Sequence, residues 1–315
     1  MNRLSPHHRS LVYGLLGVLG FSLTLPATRM AVAGLDPVFV GLGRAVVAAL
    51  LAGGVLLATR SRLPSPGQWL RLAGVALGVV VGFPLLSTWA MTLVPASHGA
   101  VVVGLLPLAT ALFGAWLAGE RPRPLFWIST LIGSLTIAGF SLSGGQTALH
   151  SGDLLLLGAV LAAGFGYAEG ARLARTLGAW QTISWALLLS APLLLLPALQ
   201  TAPAVWSAVP WSSWAGFAYV GVVSMYLAFV VWYQGLALGG IGRVGQLQLL
   251  QPFLTILAAA ALLGETIHLG DVAAAVIVVA CVLVGRRSPP APDAVPAPAE
   301  PPPEALTPAE EGASS

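Results

Sequence analysis

Few side chains in this chain can do chemistry, because 57% of its residues are hydrophobic and only 8% charged. Those that fall inside long apolar runs are costly to keep there, and each is a functional candidate. Arg29, Arg44, Glu169 and Arg172 are the embedded charges. Glu169 is the one carboxylate well inside a run and so the one candidate for carrying a proton. Desolvation favours its neutral acid, whereas Arg172 at i+3 favours the carboxylate; the nearness of the arginine favours a structural ion pair over a proton carrier. Arg44 lies about two turns inside its run, where it could attract a carboxylate on a bound solute. Arg29 and Arg172 are 143 residues apart and read either as related gates or as interfacial side chains that snorkel.

Amides and rings complete the set. Gln248 and Gln251 lie one helical turn apart just before Pro252, which lacks an N–H and frees a carbonyl one turn earlier. Amides beside a freed acceptor form a polar site, or else they bond neighbouring helices and stabilise the bundle. Counting about 1.5 Å per residue along the runs brings Phe21, Thr24, Phe83, Phe165, Tyr167 and Tyr226 to a similar depth. With Trp89, they suggest a pocket suited to an apolar or aromatic solute with one polar head. The same rings at helical spacing also serve as packing.

Other chemistries lack their residues. ATP hydrolysis needs a phosphate-binding loop with its lysine, and the sequence contains no lysine. His98, His150 and His268 fall at helix ends without ligand spacing, and His7 and His8 lie in the N-terminal tail, so the pattern predicts no metal centre, no cofactor and no enzyme. The expected partners are a small-molecule substrate and the lipid bilayer, without nucleic acid; monomer and homodimer both stay open.

Helices must position these groups. A mean hydropathy of +0.88 leaves too little polar surface for a soluble domain, and predicts an all-α polytopic membrane protein. A hydrocarbon core about 30 Å thick takes roughly 20 apolar residues per helix. Charged and Pro/Gly-rich breaks then define ten transmembrane helices, at 11–30, 37–59, 70–93, 98–118, 124–143, 153–175, 178–199, 212–236, 243–263 and 268–285. The first is read as a helix rather than a signal peptide despite Ala31-Val32-Ala33, because the run is long for a cleaved segment. Gly74, Gly78 and Gly82 have the four-residue spacing of close helix contacts. The single cysteine, Cys281, allows no internal disulfide and reads as a small packed hydrophobe.

Charge and repetition set the topology. Twelve of the fourteen arginines fall on one side of the ten-helix map, opposite Asp36, Asp153, Glu265 and Asp271. The positive-inside rule therefore places both termini in the cytoplasm, in the inner or plasma membrane. Leu105, Pro107, Thr110, Leu112, Ala115, Leu117, Gly119 and Glu120 recur 145 residues later as Leu250, Pro252, Thr255, Leu257, Ala260, Leu262, Gly264 and Glu265. Five helices per copy is an odd number, so the copies are two inverted five-helix repeats, 11–143 and 153–286, joined by an external linker at 144–152. A cytoplasmic N-terminus, 1–10, precedes them. The tail at 287–315, rich in proline, alanine and glutamate, is expected to be disordered. Inverted repeats around a central site are a transporter architecture in which the halves alternate access, with Pro107 and Pro252 as equivalent kinks or hinges.

Over about residues 11–286 the chain resembles the drug/metabolite transporter superfamily, with two EamA-type domains. The resemblance rests on the run Ser97 to Phe140 with Pro107 and Glu120, and on Gly242 to Val284 with Gln251-Pro252 and Gly264-Glu265. Phe21 stands where that family's first helix usually has tryptophan, and Arg44 matches an arginine typical of its second helix. What the resemblance implies is a ten-helix bundle that moves small organic solutes, frequently exporting amino acids or related metabolites. The resulting expectation is a secondary transporter exporting amino acids, aromatic or other apolar ones first. Alternatives are a multidrug or other-metabolite carrier, and a non-transporting scaffold or receptor.

Overall fold

Proline opens several of the helices. Pro37 sits in the first turn of the second one, where Asp36 accepts from the amides of Val38 (2.8 Å) and Phe39 (3.3 Å); a proline there gives up only an N–H that has no helical partner anyway. Pro66 opens the third helix, and Pro95 and Pro210 directly precede two more. The computed structural model describes residues 6–118 and 151–285, and between them only 124, 128, 131, 132, 135 and 136. The rest of the predicted helix at 124–143, the pair Gly119-Glu120, most of the linker and the 287–315 tail lie outside the described residues.

Among the described residues there is no strand. The main helices are α1 (His8–Val32), α2 (Pro37–Ala58), α3 (Pro66–Leu93), α4 (Ala96–Leu117), α5 (Ser151–Leu177), α6 (Ala179–Gln200), α7 (Trp211–Gly239), α8 (Leu247–Leu263) and α9 (Leu269–Gly285). The first seven are long and apolar enough to cross a membrane, while α8 and α9 are shorter. Leu50, Leu57, Leu70, Leu77 and Leu193 point outward and are exposed, an exterior suited to lipid. One expectation is corrected at α5. Asp153 is expected to open the helix at its external end, but the helix begins two residues earlier, and the carboxylate is buried in its first turn against His98 Nε2 at 2.6 Å. An acid is favourable there because the amides of a first helical turn lack helical partners.

The segments before residue 118 and after 151 interleave. Helix α5 packs on α3, α4, α6 and α7; α2 packs on α6 and α7; α1 packs on α7 and α8. Glycine makes the tightest of these contacts possible. Gly74, Gly78 and Gly82 all face α5, and a Cβ at Gly78 would lie 2.6 Å from the Ala162 carbonyl and 2.9 Å from the Gly166 Cα.

Several helices are irregular in the middle. Helix α1 is interrupted at Leu23. Residues Ala76–Gly82 of α3 and Tyr219–Leu227 of α7 are π-helical, at places that the 145-residue offset nearly superposes. Helix α4 breaks at Gly104-Leu105 before Pro107, and Gly245–Leu250 wind as a 3-10 helix before Pro252. Replacing Gly78 with leucine should overpack the α3–α5 seam and cost about 1–3 kcal/mol, read as a lowered melting temperature in detergent. The same replacement at Gly54, where nothing lies within 4 Å, should leave the melting temperature unchanged.

Candidate functional site

The irregular turns surround a cavity at mid-bundle. Its walls come from Phe21, Thr24 and Leu25 of α1, Arg44 of α2, Val79 and Phe83 of α3, Ala163 and Tyr167 of α5, Ser224, Met225 and Phe229 of α7, and Gln251 of α8. About 420 Å³ is free of protein atoms, counted together with its opening. On one side three rings pack on each other: Phe21 meets Phe229 edge-on at 5.0 Å and stacks on Tyr167 at 5.9 Å, and Tyr167 meets Phe229 at 5.8 Å. These rings are packing and lining at once. Across from them lie Arg44, Gln251 and the hydroxyls of Thr24 and Ser224, which bond each other at 2.7 Å.

Of the residues selected by sequence for a binding role, the structure brings Phe21, Thr24, Arg44, Phe83, Tyr167 and Gln251 to this cavity and leaves four outside its lining. Trp89 is 40% exposed, because six residues beyond Phe83 is about two-thirds of a turn out of phase at 100° per residue. Phe165 is two positions from Tyr167 and so faces another way, against Phe113 and the Gly74 backbone. Tyr226 is buried with its hydroxyl 3.1 Å from Ser184 Oγ. Gln248 is buried with neither amide atom bonded; it belongs to the 3-10 turn, whose rise of about 2 Å per residue sets it one turn before Gln251. Leu25, Val79, Ala163, Ser224, Met225 and Phe229 were missed by sequence reasoning; Val79, Ser224 and Met225 lie in π-helical stretches and Phe229 just beyond one, where a 3.6-residue register no longer tells which side chains face inward.

Two polar clusters close the bundle on either side of the cavity. At one end Arg29 donates to the carbonyls of Met91 (2.8 Å) and Val94 (2.7 Å) and lies 3.6 Å from Glu265. Glu265 in turn accepts from the amides of Ala96 and Ser97, both at 3.0 Å, and from Ser97 Oγ at 2.7 Å. Gly264 makes this reach possible: its left-handed backbone (φ 65°) ends α8 and turns the next residue onto the N-terminus of α4. Arg29 thus joins the end of α3 to the residue that follows α8. At the other end Glu169 pairs with Arg71 of α3 and with Arg172 at 3.1 Å. The i,i+3 pair is the one the spacing suggested; Arg71 is the partner that linear distance concealed. On α3, Arg71 and Met91 are twenty residues apart, so the clusters are separated by about 30 Å.

The proline kinks have internal compensation. Pro26 cannot donate to the Ser22 carbonyl one turn earlier, and Thr255 Oγ1 of α8 donates to that oxygen at 2.8 Å. Thr255 belongs to the repeated pattern, which gives one member of that pattern a bond from α8 to the break in α1. Pro107 and Pro252 each follow an irregular turn, and the Pro252 ring lies 3.2 Å from the position a Cβ on Gly104 would take. Among the described residues no group of His, Cys, Asp and Glu could hold a metal ion.

The family model described as the EamA-like transporter family matches residues 8–142 and 150–285. Among curated proteins, the chain is 49% identical over 276 residues to the "Uncharacterized transporter YdeK" of Bacillus subtilis (strain 168), covering 88% of this chain and 96% of that one. A crystal structure sharing 21% identity covers 88% of this chain and 97% of its own, with a TM-score of 0.65; that likeness is one of fold.

Thr255→Val keeps the shape of the side chain and removes the hydroxyl, leaving the Ser22 carbonyl unpaired. Thermal unfolding of the purified protein should register a loss of about 1–3 kcal/mol. Ser184→Ala removes a hydroxyl whose partner, Tyr226, lies outside the cavity lining, and should not alter transport rates.

Proposed function

The chain belongs to the EamA-like transporter family, a family of membrane transporters, and from that premise we propose that it exports amino acids, apolar and aromatic ones first, by alternating access. The observation that carries this reading is the cavity itself: helices from both matched segments line it, and it lies between two ion-paired ends. A transporter needs such a site with a closure on each side.

We propose further that the chain forms ten helices in two inverted five-helix units, 11–143 and 153–286. The matching π-helical turns of α3 and α7, and the matching irregularities before Pro107 and Pro252, support this arrangement. With both termini cytoplasmic, as the arginine distribution favours, Arg29 and Glu265 form the outer closure and Arg71, Glu169 and Arg172 the inner one. Opening outward separates Glu265 from the start of α4; opening inward separates Glu169 from Arg71. Pro107 and Pro252, beside turns already free of regular bonding, act as the hinges.

Counterflow in proteoliposomes against a panel of amino acids and other metabolites, with and without a proton gradient, tests the reading. Exchange of apolar amino acids is expected, and no exchange of any panel member would favour a non-transporting scaffold or receptor. Glu169→Gln should leave the response to the proton gradient unchanged if the group is a structural ion pair. For the outer closure, Thr24→Cys in a Cys281→Ser background gives a single reporter in the cavity. Adding Glu265→Ala, which removes the Arg29 contact and the bonds to Ala96 and Ser97, should raise its labelling by an impermeant thiol reagent from outside about tenfold or more, since even one charge-assisted bond is worth about 1.5–3 kcal/mol.

A further inference from the structure

Arg44 is an uncompensated charge. Its residue is 1% exposed, Nε has no partner, and Nη2 reaches Ser87 Oγ only at 3.5 Å. A guanidinium held this way inside a protein is costly unless an opposite charge joins it. The described carboxylates within the helical bundle are engaged elsewhere. Asp36 caps α2, Asp153 contacts His98, Glu169 holds Arg71 and Arg172, Glu265 holds Arg29 and the α4 amides, and Asp271 accepts from the His268 amide. The guanidinium nevertheless lines the cavity, and none of the residues lining it is acidic.

What else the cavity offers decides the class of ligand. Thr24 and Ser224 share one hydrogen bond and keep further hydroxyl capacity, while Gln251 presents an Oε1 with no bonding partner. The site therefore holds one full positive charge, neutral acceptors and an aromatic wall. A guanidinium fits a carboxylate in two parallel hydrogen bonds, and that charge would come from the ligand. An ammonium finds no opposite charge there, only neutral oxygens, those of Gln251 and of the Thr24, Ser224 and Tyr167 hydroxyls, and ring faces. A ligand with an amine and no carboxylate would place a second cation beside the first.

Resting on the transport reading above, we infer that Arg44 makes a carboxylate obligatory on the transported solute and that the α-ammonium group is dispensable. The site accepts apolar and aromatic monocarboxylates together with the corresponding amino acids, and rejects the corresponding amines. The cation also separates this protein from a carrier of cationic drugs.

Two charge series sharing one apolar group test this by calorimetry on the purified full chain and by counterflow. The first is 3-phenylpropionate, phenylalanine and phenethylamine; the second is 4-methylvalerate, leucine and isopentylamine. In at least one series the acid is expected to bind no more weakly than the amino acid, with the amine weaker by about tenfold or more. Arg44→Gln should remove that preference and Arg44→Lys should retain part of it, with melting temperatures checked alongside. Amines that bind as tightly as acids, an amino acid that binds while its acid does not, or no binding in either series would overturn the inference. Exchange of other solutes in the broader counterflow panel would still leave the transport reading standing; only silence across that panel removes both.

Discussion

A bundle with so few polar residues has to satisfy its backbone from within, because the apolar surroundings of its helices supply no water. Most residues meet that demand through regular helical bonding, so each departure from regularity needs its own donor or acceptor. The break in α1 shows the solution most clearly. Pro26 frees the Ser22 carbonyl, and the Thr255 hydroxyl on α8, more than two hundred residues away in sequence, takes it up. Similar logic applies to Tyr219, whose hydroxyl donates to the Gly20 carbonyl at 2.9 Å. The helices are therefore joined at their irregular points, and the cavity opens among those points.

Charge is disposed according to the same economy. Glu265 and Glu169 each gather several donors, and they do so at opposite ends of α3. A carboxylate shared between an arginine and backbone amides holds the ends of several helices together while remaining partly open to exchange of partners. Between the two ends, Arg44 stands without such compensation. The contrast distinguishes charges that bind the protein to itself from one that does not.

Close packing links these features. Gly78 and Gly166 bring the backbones of α3 and α5 together, and these helices carry Arg71 and Glu169 near one end and Val79, Phe83, Ala163 and Tyr167 at the cavity. Because glycine removes side-chain bulk between them, a shift of either helix moves both the ion pair and the wall. The ion pair and the cavity wall thus share one closely packed seam.

The sequence by itself determined the class of the protein, since hydropathy and helix length depend only on local composition. It also determined the turn positions near Pro95 and Pro210, where proline acts on its own neighbours, and the repetition of Pro107 and Glu120 in Pro252 and Glu265. Six cavity residues were legible because depth along an apolar run can be counted. Tertiary structure decided the rest. Phe165 shares that depth but faces elsewhere, and Trp89 turns to the exterior, since rotation about a helix axis depends on its neighbours. Ser224, Met225 and Phe229 face the cavity because α7 is π-wound before and around them. The partners of Glu169 and Glu265 lie 98 and 169 residues away, and Arg44 is conspicuous only once the described carboxylates of the bundle are seen to be occupied. Local patterns fix what a helix can do; which side chains meet, and which charge goes unmatched, is settled only when the helices pack.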